Sequence, residues 1–166
     1  MSKRTPKPSS SDAQFAPVRA ITAIAREFDK VARYAPVSIT QYHLMLYLKD
    51  GPRSAGQVAA TCLVTTATIS GQIASLRENE WISAEIEPHD RRVTRLLLTE
   101  AGREALADFE RLLLNCLESL ISKDDRARVL SDLTHLCTSF SATRETRYAD
   151  SESSSYRFVP PSDLDK

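Results

Sequence analysis

Glu85-Ile-Glu-Pro-His-Asp-Arg-Arg-Val-Thr-Arg-Leu-Leu-Leu-Thr-Glu-Ala-Gly102 decides how this chain folds. The stretch reads as strand, charged turn, strand and helix start. Pro88 lacks the N–H that a ladder needs and Asp90 favours turns, so residues 88–90 interrupt a strand. Val93 to Leu98 is rich in β-formers. Thr99 then stands as the N-cap of a long amphipathic helix. Two adjacent arginines, Arg91 and Arg92, are thereby placed near the tip of a β-hairpin.

Working upstream, a helix is expected from Thr66 to about Glu80, with Ile69, Ile73 and Leu76 at helical spacing and Thr65 or Thr66 as its cap. Trp81-Ile82 closes it, and a strand follows at about residues 83–87. A short helix capped by Ser54 precedes it, carrying Val58, Ala59 and Ala60. The link near Leu63-Val64 is tight, which makes the pair a helix-turn-helix. Before it, residues 40–49 form a helix capped by Thr40 and stopped by Asp50-Gly51-Pro52. Phe15, Val18, Ile21, Ile24, Phe28 and Val31 predict a longer helix over residues 13–34, which Pro36 ends.

Downstream, Leu106, Phe109, Leu113, Cys116 and Leu120 repeat at 3-4-3-4 spacing on a helix from Glu100 to about Ile121. Ser122-Lys-Asp-Asp125 breaks the pattern. A last helix carries Val129, Leu130, Leu133, Leu136, Cys137 and Phe140 to about Tyr148. The fold class is therefore mainly α with a small β-hairpin wing. A winged helix-turn-helix (38–99) is flanked by an N-terminal helix (13–37) and C-terminal helices (100–148). Residues 1–12 read as a disordered arm and 149–166 as a flexible tail. A reading unit of this size cannot cover the apolar stripes of three further helices. The simplest solution packs them against a second copy, so the flanking helices are expected to dimerise the chain.

Composition narrows the function. The 166 residues suffice for one ordinary core, and 42% apolar content is globular. The 22 basic and 22 acidic residues cancel, which argues against indiscriminate coating of nucleic acid. Residues 40–103 carry seven of each sign, so DNA affinity must come from a few placed arginines and from hydroxyl and backbone groups. No apolar run is long enough to span a membrane, and no apolar segment follows the charged N-terminus to form a leader. The three cysteines, Cys62, Cys116 and Cys137, have no CxxC pair and fit a reducing cytoplasm. Neither a nucleophile–base set nor a glycine-rich phosphate loop is present, and the histidines are scattered. No enzyme, cofactor or metal centre is expected.

The segment from Ile39 to Leu106 resembles the multiple-antibiotic-resistance regulator (MarR) family of bacterial winged-helix repressors. The resemblance rests on Ile39-Thr40-Gln41, Ala55-Gly-Gln-Val-Ala-Ala60, Thr66-Ala-Thr-Ile-Ser70, Leu76 with Trp81-Ile82, Pro88-His-Asp-Arg-Arg92 and Leu98-Thr-Glu-Ala-Gly102. It covers about 65 of the 166 residues closely. It implies a dimeric, cytoplasmic transcription regulator, a ligand-responsive repressor that binds a near-palindromic double-stranded DNA operator. Arg92 would enter the minor groove, Asp90 would pair with it and fix its direction, and the recognition helix would enter the major groove. The family's usual Gly-Leu-Ile at the end of that helix is Glu80-Trp81-Ile82 here.

The residue chemistry agrees. A narrow minor groove concentrates negative potential, which suits Arg92, while Arg91 suits a phosphate or plain solvent. Thr66, Thr68, Ser70 and Gln72 can donate to phosphates, and Gln72 can read adenine bidentately; the alternative for each is a cap or an ordinary helix surface. Arg53 and Ser54 could meet a phosphate at a helix N-terminus, or Ser54 could be a plain cap. Tyr34, His43 and Tyr47 are the candidate lining for a small aromatic or phenolic effector; the alternative is core and interface packing. The competing function is a winged-helix protein-interaction module without sequence-specific DNA binding.

Overall fold

The structure, a computed structural model, describes residues 13–62, 66–87 and 90–149. Side chains at 60–62, 66, 67, 90–93 and 141–149 lie outside that description, as do the predicted arm and tail. Two compact units result, Met1–Leu120 and Ile121–Lys166.

In the first unit, α1 spans Ala16–Ala32 with a proline in its first turn. α2 spans Ile39–Lys49. Its cap is Ser38, not Thr40 as expected. The Ser38 hydroxyl accepts from the Gln41 N–H (3.2 Å), and the Gln41 side-chain oxygen accepts from the Ser38 N–H (2.9 Å). This reciprocal pair satisfies two donors at once, whereas Thr40 is already inside the helix. Gln41, Leu44, Met45 and Leu48 face the core at helical spacing.

A two-residue strand, β1 (Arg53–Ser54), follows, then α3 (Ala55–Cys62) and α4 (Thr66–Glu78). The hairpin is β2 (Ile82–Glu87) and β3 (Asp90–Leu98). Asp90 is thus in the strand rather than the turn, pairing with Glu87 beyond a register shift at Ile86/Glu87. Sheet order is β1-β3-β2, antiparallel throughout, with Arg53 opposite Leu96 and Ser54 opposite Arg95. β1 escaped the sequence reading because two residues carry no alternation to read.

α5 (Glu100–Ser119) starts as expected, with the Thr99 hydroxyl accepting from the Gly102 N–H at 3.0 Å. Leu106, Phe109 and Leu113 of its predicted seam are buried. They join Leu44, Met45, Leu48, Val58, Ile69, Leu76, Ile82, Leu96 and Leu98 in one core, against which Phe28 and Val31 of α1 pack. Leu96 and Leu98 point inward at period two, with Arg95 and Leu97, on either side of Leu96, less buried.

The second unit carries α6 (Arg126–Ala149). Asp125 directly precedes it, hydrogen-bonded to Ser122 and to Arg128 (2.7 Å). The Arg128 guanidinium, then the Ser122 hydroxyl, hold the Asp125 carboxyl below its ordinary range.

Candidate nucleic-acid interface

The recognition unit is fixed from behind. Ile69 and Leu76 of α4 are buried and Ile73 packs beside them. Buried Gln41 donates from Nε2 to the Ser75 hydroxyl (3.1 Å), tying the start of α2 to the middle of α4. The motif Ile39-Thr40-Gln41 does not by itself give Gln41 this role. The Ser-x-x-Gln spacing at Ser38 and Gln41 was the available signal for its capping role.

The end of α4 is held by a left-handed turn without glycine. Glu80 has φ 59°, its N–H donates to the Arg77 carbonyl (2.9 Å), and the Trp81 N–H donates to the Leu76 carbonyl (2.9 Å). Those two bonds make a Schellman motif. The departure from Gly-Leu-Ile therefore leaves the cap intact, with Glu in a conformation that costs a side-chain-bearing residue about 1 kcal/mol.

The next joint explains Leu98-Thr-x-x-Gly102. The Trp81 carbonyl accepts from the Thr99 N–H (3.0 Å), and the Thr99 hydroxyl donates to the Glu80 carbonyl (2.7 Å). A Cβ on Gly102 would lie 2.9 Å from both the Trp81 carbonyl carbon and Leu98 Cδ1, with the Trp81 oxygen nearer still. Glycine is required there so that α5 can abut the end of the recognition helix.

The outward face of α4 is polar. Thr68, Ser70 and Gly71 are exposed and Gln72 is half-buried. A Cβ at Gly71 would meet nothing within 4 Å, so internal packing does not demand glycine at this position. Thr66 opens the helix, and its side chain lies outside the described residues, as does the cap expected at Thr65 or Thr66. Asp90, Arg91 and Arg92 begin β3, the central strand of the wing; the pairing of Asp90 with Arg92 falls on side chains outside the description.

At the wing's base, Arg95 donates from Nε to Glu87 (2.6 Å) and from a terminal nitrogen to Gln57 of α3 (3.4 Å). Gln57 is also the reciprocal capping partner of Ser54. Ser54 thus serves as a helix cap, and one polar chain links wing, sheet and helix-turn-helix. Arg53 stacks with its guanidinium carbon 5.2 Å from the centre of the Tyr47 ring, and its Nε is buried with no hydrogen-bond partner among the described residues.

The expected effector lining is not assembled. Tyr34 is 92% exposed, His43 is exposed, and Tyr47 lies beneath Arg53. Tyr42 instead turns inward onto Phe109, ring centres 5.3 Å apart. A cavity of about 550 Å³ opens elsewhere, between residues 35–37, Trp81 and α5, and none of the three expected residues lines it.

A helix pair with a buried back and polar front, closed by an antiparallel hairpin, defines a winged helix-turn-helix. Residues 35–93 match the model of the MarR family, the stretch that carries most of the motifs of the resemblance. No curated protein matches the sequence. Among solved structures, the chain is similar to the transcriptional regulator Tm0710 from Thermotoga maritima (18% identity, 82% of this chain and 99% of that one, TM-score 0.62). It is also similar to the transcriptional repressor CouR bound to a 23-mer DNA duplex (22%, 80% and 99%, 0.55). A third is Sco3205, a MarR family regulator from Streptomyces coelicolor in complex with DNA (18%, 82% and 91%, 0.54). These likenesses establish the fold. Among the described residues, no helix is long and apolar enough to cross a membrane.

Proposed function

We propose that the chain is a DNA-binding transcriptional regulator that works as a homodimer, laying α4 in the major groove of a near-palindromic operator and reaching the minor groove with Arg92. The observation that carries this reading is the outward polar face of α4, Thr68 to Gln72, tied from behind by Gln41 and closed at its end by Trp81. Such a face offers hydroxyl and amide donors to phosphates and base edges. The family match over residues 35–93 and the DNA complexes of two similar folds support it.

The homodimer is supported by what the single chain leaves uncovered. α1 buries no residue fully, and Phe15, Val18 and Ile21 are 50%, 62% and 58% exposed. Leu112 and Leu114 on α5 are exposed as well. A second copy would cover such stripes and place two recognition helices about one DNA turn apart. In this reading the protein represses, and a small molecule releases it by changing the distance between the two reading heads.

The test is selection of bound fragments from the source genome, followed by footprinting. Two protected half-sites with inverted symmetry, about 10 base pairs apart, are the expected result. Uniform, sequence-independent recovery would shift weight to the protein-interaction reading, which the zero net charge favours.

A further inference from the structure

The 550 Å³ cavity has a one-sided chemistry. Val37 and Phe109 form buried walls, with Trp81 and Leu112 beside them. Among the described residues, its charged side chains are two carboxylates, Glu104 and Asp108, one helical turn apart on α5. Among the described residues, no lysine or arginine lines it. Asp108 shares its charge with Arg111 at 2.8 Å, whereas Glu104 has no ion-pair partner among the described residues. An apolar chamber of this size with an acidic rim accepts a drug-sized body and rejects an anion of the same shape.

We propose that this cavity is a binding site for an amphipathic organic cation, its apolar body against Trp81 and Phe109 and its positive charge facing Glu104. An anionic effector does not suit it, and the small aromatic or phenolic effector expected from the sequence was placed elsewhere, at Tyr34, His43 and Tyr47. Trp81 favours a cation further through its ring quadrupole. It also occupies the joint on which reading depends: its N–H closes α4 at Leu76, and its carbonyl receives Thr99 at the start of α5. A ligand pressing on Trp81 acts on the seating of the recognition helix. As an effector site the cavity rests on the DNA-binding reading above; as a binding site it stands without it.

Trp81 is the only tryptophan of the chain, so its fluorescence reports the cavity directly. Tetraphenylphosphonium and tetraphenylborate have nearly the same shape and opposite charge. The full-length protein, free of DNA, is titrated with each. The proposal expects a saturable change in emission with the phosphonium, little with the borate, and about fivefold weaker phosphonium binding in Glu104→Gln. Ala101→Leu, at the exposed rim, should block the cavity without altering charge. Equal responses to both ions, no saturation with either, or indifference to both substitutions would overturn it. A parallel titration with operator DNA present separates the two readings. Failure of the protein to bind any operator leaves the emission result standing, and cation binding with unchanged operator affinity refutes the effector role alone.

Discussion

Adding one methyl group at Gly102 should unsettle the joint between recognition helix and α5. The Cβ of Gly102→Ala would sit 2.9 Å from the Trp81 carbonyl carbon and from Leu98 Cδ1. Leu98 can rotate, but the Trp81 carbonyl is backbone and already receives the Thr99 N–H. Relief requires withdrawing that carbonyl, which weakens a bond contributing about 1 kcal/mol. The withdrawal also disturbs the Thr99 cap, a further contribution of about 1 kcal/mol. Residual overpacking costs about 1–3 kcal/mol, and the better helix propensity of alanine returns up to about 1 kcal/mol. The net loss is about 2–4 kcal/mol, which for a chain of this length lowers Tm by about 5–15 °C. Urea unfolding at fixed protein concentration measures it, read as a lower midpoint at unchanged slope. Gly71→Ala is the matched control: its Cβ meets nothing within 4 Å, so it should gain up to about 1 kcal/mol. Gly102→Ala equal to or more stable than wild type would refute the close-approach argument.

Other substitutions test neighbouring parts. Glu80→Gly should stabilise by about 1 kcal/mol, because glycine adopts φ 59° without strain; a lower urea midpoint would contradict the left-handed cap. Gln41→Ala removes bonds to Ser38 and Ser75 at a buried site and should cost about 1–3 kcal/mol by thermal melting, with no change excluding the role given to Gln41. Asp125 should titrate below its ordinary value of 3.8, since Arg128 and Ser122 favour the carboxylate. The stability it lends is therefore complete well above 3.8 and is lost as pH falls through the depressed value. Carboxyl NMR should find Asp125 moving up in Arg128→Gln, and an unmoved titration would show that the pair does not persist in solution.

The order of elements was legible because apolar spacing and turn chemistry agree along residues 40–102. The wing, Thr99 as a cap and the buried seam at Leu106, Phe109 and Leu113 follow from local rules alone. Ser38 and Thr40 are both competent caps by residue type, and only the Ser-x-x-Gln spacing from Ser38 to Gln41 marks the earlier start. The pairing of β1 with β3, the Gln41–Ser75 bond and the bridge from Glu87 through Arg95 to Gln57 are long-range, and no local pattern encodes them. Gly102 was readable as a motif residue, but its cause, the Trp81 carbonyl beneath it, is tertiary. Residue type alone groups Tyr34, His43 and Tyr47. The cavity is built instead from the linker at 35–37, Trp81 and α5, which become neighbours only on folding.

The most direct test of the central claim is the affinity of wild type and Arg92→Ala for the DNA upstream of the protein's own coding region, across a salt series. The account predicts salt-sensitive binding to one site, well above that to random DNA and strongly weakened in the variant, with the salt slope reduced by about one. Binding no tighter than to random DNA, indifferent to Arg92→Ala, would contradict it.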